Sequence, residues 1–554
     1  MNLMYLAQSG LSAAQSSLNV VGNNLNNAST PGYSRQNIVL GQAGGKNTSY
    51  GFFGYGVQVN GVQRAYNGFI NNQLRSASSE YNALSGRYEQ IAQIDNMLGD
   101  KTSNLSSSLN NIFGALEKVS SDPVSMAARQ EAMSAFNSTA SQFRTNARTL
   151  NGLEKSTNTQ IKQSIDDINA CAKELATINA ALYKSSAQSG GQPADLLDQR
   201  DQLLNKLSEL VGIKVDENRA TGEVNVSLSN GISLVNGDRT CLFETAPSAA
   251  DPSKFDVFYT DAAGNAIRLD ENKITTGKLA GLFKFRNEDL VDARNQLNQL
   301  ALQMANRFNE VNKAGYDQSG AAGGDIFTIN DPVALVNRNN QGDATLNISF
   351  DEDAGGNSLI PQVKVQDYTV VYQGPNANDW VVTDSSGQPV KTEIDADGKL
   401  HFDGIVIEPK GEPEAGDSFI FNSAGGVADN IDVALKNGDQ IAASGSDKHE
   451  EESNNENVKK LIAIKDETLI GKATLTEAYA SLVSSVGSTV NTLKSNGKAA
   501  ASVYDNLELQ QQSVSGVDPN EEFVKMNMFT QYYQANAQVL QTAITIFDTL
   551  LSVR

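Results

Sequence analysis

The stretch that most constrains this fold is the C-terminal segment 523–551. Apolar or small residues recur there at alternating steps of three and four, which is the pattern of a coiled-coil seam. No residue between Lys525 and Asp548 is charged, although an exposed helix normally carries Lys and Glu. The pattern predicts a helix covered by other protein on more than one side, or a helix docked into its own core, and this segment alone leaves both open. The seam positions are Phe523, Met526, Thr530, Tyr533, Ala537, Leu540, Ile544, Phe547 and Leu551.

A second uncharged heptad pattern lies near the other end of the chain and predicts a helix over residues 4–28. One of its two rows is rich in alanine, which allows helix backbones to approach closely. Pairing the two terminal helices antiparallel would satisfy both patterns and leave the middle of the chain as a series of insertions. The two rows are Met4, Leu11, Leu18 and Leu25, and Ala7, Ala14, Val21 and Ala28.

Between these helices, helical and strand patterns alternate. Residues 36–62, rich in Gly, Tyr, Phe and Val, predict short strands with glycine bends. Asp122, followed by Pro123, is the predicted N-cap of a long helix. We predict a mainly α fold with inserted β structure (α+β): paired terminal heptad helices, a long helical bundle body and inserted all-β domains. The predicted divisions are a terminal axial domain (1–34 plus 520–554), a helical body (35–210 plus 276–320 plus 455–519), a small β insert (211–275), an acidic outer all-β domain (325–440) and a charged linker (441–457).

The net negative charge of the chain limits the classes of partner that it can bind. Its 554 residues carry a net charge of -21, which argues against nucleic acid and anionic membranes as partners. Residues 325–439 hold 20 acidic and 6 basic residues, so this module should face solvent. No apolar run approaches the roughly 18 residues of a membrane span, and residues 1–34 lack the basic start and apolar core of a secretory signal.

The N-terminal helix ends in a specific signature. Ser9-Gly10-Leu11, Asn23-Asn24-Leu25-Asn26-Asn27 and Thr30-Pro31-Gly32-Tyr33 closely resemble the N-terminal motif of bacterial flagellar axial proteins, the family of rod, hook and hook-associated proteins. Gly22 and Asn26 stand where that family usually has alanine, but the spacing to the Pro-Gly-Tyr turn holds. Segments 195–201, 511–517 and 531–543 are similar to hook-associated members of the family, so the resemblance covers essentially the whole chain. The signature residues are Asn23, Asn24, Asn27, Thr30, Pro31, Gly32 and Tyr33.

The resemblance implies a structural adaptor that assembles on the distal end of the hook, at the hook–filament junction, and is needed for filament assembly and motility. The implied partners are further copies of the chain in a ring, the hook protein, a second junction protein leading to flagellin, and an export chaperone on the C-terminal region. It also implies extracellular localisation in the flagellum, after type III export without a cleaved signal peptide. A distal rod component or a second junction protein with the same terminal helices is the alternative.

The sequence offers no catalytic, cofactor or metal site. The only histidines are His401, in a strand pattern, and His449, in the charged linker. A zinc-protease motif starting at His449 would need a second histidine where Ser453 stands, so it fails. A calcium loop around Asp395 fails because Gly404 occupies the position of the bidentate Glu. We therefore expect a protein without enzymatic activity, with an axial protein carrying an enzymatic β insert as the less favoured alternative.

Overall fold

Helices form both ends and the body of the chain, and antiparallel strands are inserted between them. The computed structural model describes residues 2–100, 104–189, 191–261, 263–376, 378–447 and 453–552. Heptad and amphipathic patterns give long helices, and alternating segments bounded by Gly and Asn turns give short strands. The predicted α+β fold is confirmed. The helices are α1 (Asn2–Asn26), α2 (Gly68–Leu98), α3 (Leu105–Ser121), α4 (Met126–Ser189), α5 (Ala194–Leu210), α6 (Lys278–Lys284), α7 (Leu290–Lys313), α8 (Val427–Asn430), α9 (Glu456–Ala463), α10 (Leu475–Ser515) and α11 (Pro519–Ser552).

The strands form ribbons near the N-terminus, a small β insert and an acidic β module. The ribbons pair β1 with β4 and β2 with β3, and the insert contains the sheets β5-β6-β7-β8 and β11-β10-β9. The module contains the sheets β12-β19-β14-β15 and β13-β18-β17-β16. The strands are β1 (Gln36–Gln42), β2 (Gly45–Thr48), β3 (Gly51–Gly54), β4 (Val57–Arg64), β5 (Ile213–Glu217), β6 (Val224–Leu228), β7 (Ser233–Asn236), β8 (Arg239–Thr240), β9 (Phe243–Pro247), β10 (Phe255–Thr260), β11 (Ala266–Arg268), β12 (Leu335–Val336), β13 (Thr345–Phe350), β14 (Asp367–Tyr372), β15 (Trp380–Thr383), β16 (Glu393–Ile394), β17 (Leu400–Phe402), β18 (Ile405–Lys410) and β19 (Ser418–Asn422).

Helix α4 joins two hydrophobic cores. Its 64 residues extend about 95 Å at the rise of an α-helix. Its first half packs against α3, α7 and α8, in a core that also contains α10 and the acidic β module and in which the rings of Phe136 and Phe308 lie 5.9 Å apart. Its second half packs with α5, α6 and the small β insert. The helical body is therefore shared between the two cores, and each core includes one of the β inserts.

The start of α4 differs from the prediction. The helix begins at Met126, whereas Asp122 is the C-cap of α3 and its backbone N–H donates to the Lys118 carbonyl at 3.1 Å. Ser125 accepts a hydrogen bond from the backbone N–H of Ala128 at 3.3 Å. The N-cap prediction at Asp122 is wrong because the chain uses residues 122–125 to turn between α3 and α4.

The predicted linker 441–457 is partly built into the core. Ile441, Ala442 and Ala443 are buried, and Asn457 lies in the first turn of α9 with its side-chain amide donating to the carbonyl oxygens of Val311 and Ala442, both at 2.9 Å. Both ends of the segment therefore belong to the packed structure, because buried apolar residues fix one end and the two hydrogen bonds donated by the Asn457 amide fix the other. His449 and the acidic residues beside it lie in 448–452, outside the described residues.

A buried arginine fastens the chain leaving the acidic module to the start of α4. Arg129 is buried and donates to the carbonyl oxygens of Pro123, Gly438, Asp439 and Ile441 at 2.6, 3.2, 3.3 and 2.7 Å. The guanidinium thus satisfies several carbonyl groups that water does not reach.

We expect Arg129→Met to lower the free energy of unfolding by about 3 kcal/mol, because buried carbonyl groups would lose their donor. The measurement is urea unfolding followed by far-ultraviolet circular dichroism. The matched control is Arg148→Met on the same helix, since Arg148 is mostly exposed and lies 3.7 Å from Asp429; its effect should stay below about 0.5 kcal/mol. Equal effects of the two substitutions would contradict the assignment.

The terminal helices lie outside both cores. Among the described residues, the two large cores contain no member of α1 or α11. Within the same residues, no helix is both long and apolar enough to cross a membrane. The terminal helices are therefore held by each other, by the packing of α1 on the ribbon of β1 and β4, and by polar contacts to α5.

Candidate assembly interface

Helices α1 and α11 pair antiparallel. The Asn24 amide donates to Glu522 Oε2 at 2.9 Å near one end of the pair. Fourteen residues earlier in α1, Gly10 lies so close to Asn536 that a methyl group on Gly10 would come within 2.3 Å of its Oδ1. Asn536 is also fourteen residues after Glu522, so the two helices run side by side in opposite directions. The predicted antiparallel pairing is present.

The face of α1 that meets α11 is not the predicted pair of rows. The alanine row is used, since Ala7, Ala14 and Val21 are buried. The second row in the interface is Gly10, Ser17 and Asn24, whose small or amide side chains let the helices approach. The leucine row lies on the flank of the pair, so its predicted place in the intrachain seam is wrong. Met4, Leu11, Leu18, Leu25 and also Ala28 are half-buried.

The seam of α11 is shifted by one residue from the prediction. Glu522 and Ala543 are buried and Phe529 and Asn536 partly so, and these four positions are spaced by seven. Of the predicted rows, Met526, Ala537 and Leu540 are half-buried, while Phe523, Thr530, Tyr533, Ile544, Phe547 and Leu551 are exposed. The structure therefore separates the intrachain seam from a second apolar row that faces outward.

The end of α11 projects beyond α1. Because Gly10 lies against Asn536, residue 544 is level with residue 2, and the remaining residues to 552 have no part of α1 beside them. At 1.5 Å per residue this projection is about 12 Å long. Its apolar side chains are exposed, with Leu550 at 68% and Phe547 at 47%. Exposed apolar surface of this kind marks an interaction site.

Asn24 of the family signature holds the base of the terminal pair together. Its Oδ1 accepts from the Tyr33 hydroxyl at 2.8 Å and from the Gln36 backbone N–H at 2.9 Å, and its Nδ2 donates to the Gln36 carbonyl and to Glu522. Burial, and then the carboxylates of Asp198 and Glu522, raise the pKa of Tyr33 to about 12, so its hydroxyl remains a donor. Asn24 thus joins α1, the turn after it and the start of α11.

The other signature residues shape the turn that follows α1. Asn27 donates to the Asn23 carbonyl at 3.0 Å and accepts from the Thr30 hydroxyl at 3.2 Å. Pro31 accepts from the Gln202 amide at 2.8 Å, and that side chain crosses Gly32, whose positive φ of 75° favours glycine. The signature is therefore a docking turn that places the terminal pair on α5.

A buried ionic network fixes this connection. Arg64 at the end of β4 binds Asp198 at 2.6 Å and Asp201 at 2.9 Å, both on α5. Asp201 also binds Arg75 of α2 at 3.2 Å and Arg200 at 3.0 Å. Burial alone would raise the pKa of Asp201, but Arg200, Arg64 and Arg75 hold it below its ordinary value. In the sequence, segment 195–201 shows four charged residues in seven positions. That density does not indicate that the charges are buried or which cations from other elements they bind.

The outer module carries His401, one of the two histidines of the chain. His401 Nδ1 lies 2.8 Å from Asp351 and its Nε2 lies 3.3 Å from Asp395. Burial alone would lower the pKa of His401, but the hydrogen bonds and charges of these two carboxylates raise it. No group of three or more His, Cys, Asp or Glu side chains among the described residues is arranged to hold a metal ion. His401, in β17, therefore bridges the carboxylates that follow β13 and β16 and has a local structural role.

The two ends of the chain match family models of flagellar rod proteins. The family model described as "Flagella basal body rod protein" matches residues 4–33, and "Flagellar basal body rod FlgEFG protein C-terminal" matches residues 510–553. These are the two regions that form the terminal pair. The paired terminal helices and their signature turn therefore define a flagellar axial protein.

The middle of the chain identifies the member. "Flagellar hook-associated protein FlgK helical domain" matches residues 91–327, and "Flagellar hook-associated protein 1, D2-like domain" matches residues 335–423. The chain is 39% identical to flagellar hook-associated protein 1 of Salmonella typhimurium and 38% identical to that of Escherichia coli, over 100% of both chains in each case. A solved structure of the flagellar hook junction protein FlgK from Burkholderia pseudomallei matches with a TM-score of 0.70 and 25% identity, covering 80% of this chain and 100% of that one. The chain belongs to the flagellar hook-associated protein 1 family.

Proposed function

We propose that this protein is a structural component of the bacterial flagellum, which assembles on the distal end of the hook and forms the hook–filament junction. The observation that carries the proposal is the terminal pair: it lies outside both cores and exposes an uncharged apolar row on α11. Exposing such an apolar surface to water is unfavourable, and burying it against neighbouring subunits is favourable. The family match supports the location at the hook.

The partners follow from this role. Copies of the chain form a ring through the terminal pair, one face of the ring meets the hook protein, and the other presents a surface for the second junction protein that precedes flagellin. An export chaperone covers the C-terminal region, including the apolar projection of α11, before the subunit leaves through the type III channel without a cleaved signal. The acidic module, with its surplus of carboxylates, faces solvent, and no catalytic step is proposed for any part of the chain.

The test is a clean deletion of the gene in its host. We expect electron microscopy to show hooks that end bare, and immunoblotting to show unassembled flagellin in the medium, with both defects restored by the wild-type gene. Leu540→Asp should fail to restore filaments, because Leu540 is half-buried in the uncharged terminal pair and a carboxylate there would lose its hydration. Filaments of normal number on the deletion strain would overturn the proposal.

A further inference from the structure

The ribbon near the N-terminus ends in an aromatic hairpin, residues 45–55, formed by β2, β3 and the adjoining turns. Four aromatic side chains project from these eleven residues, and Tyr50 at its tip is 92% exposed. Phe52 and Phe53 are adjacent in β3 and therefore point to opposite faces of the hairpin. The aromatic positions are Tyr50, Phe52, Phe53 and Tyr55, all exposed.

The hairpin cannot cover these rings by itself. A two-stranded ribbon has no interior, and such ribbons are marginally stable alone. The ring of Phe52 lies across Gly45, where a methyl group would clash with it, yet more than half of Phe52 remains exposed. Exposed ribbons are normally protected by charge, but Lys46 is the only charged residue between positions 36 and 63. The composition of the hairpin is therefore that of a surface that binds another protein segment.

A matching surface lies on the same chain. Gly56, at the base of the hairpin, lies against Ser9 of α1, and the next residue of α1, Gly10, lies against Asn536 of α11. The hairpin and the outer half of α11 are therefore at the same height along the terminal pair, on different sides of α1. This part of α11 is also uncharged up to Asp548 and exposes apolar side chains.

We propose that the aromatic hairpin of one copy packs against residues 537–552 of α11 in a neighbouring copy. The proposal rests on the proposed function, because a ring sets equivalent terminal pairs side by side. Two different surfaces at one height then form a head-to-tail contact, which gives a closed ring when the rotation between copies divides a full turn evenly. Each surface carries a single charged residue, Lys46 on the hairpin and Asp548 on α11. These two charges are opposite in sign, so the contact brings no like charges together. The acidic module offers no such match, since its surplus charge is negative.

The direct test replaces Phe52 with the photoreactive amino acid p-benzoylphenylalanine in the full chain, followed by irradiation of intact flagella and mass spectrometry. We expect a cross-linked dimer of this chain that joins position 52 to a peptide within 537–552. Tyr183, an exposed residue on α4, is the control position and should give no such product. A cross-link to the hook protein or to the second junction protein, or no cross-link in flagella that contain the variant, would overturn the proposal.

A second test uses Phe52→Asp. Because the ring is exposed, the isolated variant should unfold at the wild-type temperature, while its incorporation into flagella falls about tenfold or more as a carboxylate enters an apolar contact. Tyr183→Asp should incorporate normally. Normal incorporation of Phe52→Asp would reject the hairpin contact and leave the junction role intact, whereas absence of the wild-type chain from the hook end would reject both.

Discussion

Asp201→Asn is expected to lower the stability of the connection between the terminal ribbon and α5 by about 3 kcal/mol, because it removes the negative charge shared by three buried guanidinium groups. Asp201 lies 2.9 Å from Arg64, 3.2 Å from Arg75 and 3.0 Å from Arg200. An amide has nearly the same shape but cannot offset their charge. Native-state hydrogen exchange should show faster exchange in β4 and α5, while the acidic module exchanges at its wild-type rate.

The control for this substitution is Asp195→Asn, at the exposed start of the same helix. It should leave exchange in β4 unchanged, which separates the network from a general effect of charge on α5. The difference between wild type and Asp201→Asn should also depend on pH. Since the pKa of Asp201 is held below its ordinary value, its contribution is complete above about pH 4 and disappears as the pH falls through the lowered pKa. Equal exchange at pH 7 would contradict the role of the network.

The helices were the part of the fold that could be predicted best, because their patterns are long and regular. The acidic module was predicted only as an all-β domain. Its strands from β14 onward show the alternation and turn residues behind that prediction, whereas β12 has only two residues and β13 lies among Asn and Asp, so neither gives a clear pattern. The short helix α9 begins at Glu456, inside the predicted charged linker, where the charged sequence shows no apolar period. Asp122 has the chemistry of an N-cap, and only tertiary packing decides that α4 begins at Met126.

The antiparallel pairing of α1 and α11 was predicted from the sequence, but the residues that form the seam between them were not the predicted ones. Heptad spacing shows that a seam exists, but leucine and small residues both occur at that spacing in α1. In the structure, Gly10, Ser17 and Asn24 face α11, because small side chains let the two helices approach more closely than Leu11 and Leu18 would. Arg64 and Arg75 could not be assigned from the sequence, since their partners lie more than a hundred residues away on α5. Long-range ion pairs leave no local pattern.

The distinction between the seam within one chain and the outward row gives the strongest test of assembly. Ala14→Asp would place a carboxylate in the buried face between α1 and α11, so we expect the pair to separate and to lose about 3 kcal/mol of local stability. Phe547→Asp changes a residue that is 47% exposed, so the isolated subunit should keep its wild-type hydrogen exchange. Both variants should nevertheless abolish filaments and swarming.

Comparing Ala14→Asp with Phe547→Asp is informative because it separates the stability of the monomer from its assembly into flagella. If the terminal pair acts only within its own chain, Phe547→Asp should swim normally, as should the control Tyr183→Asp, which adds the same charge at an exposed position on α4. If the outward row is covered by neighbouring subunits, Phe547→Asp must fail in assembly while its monomer remains folded. Loss of filaments with unchanged monomer exchange would therefore assign the projection of α11 to contacts between subunits, since Phe547 lies beyond the end of α1 and outside the seam between the two helices.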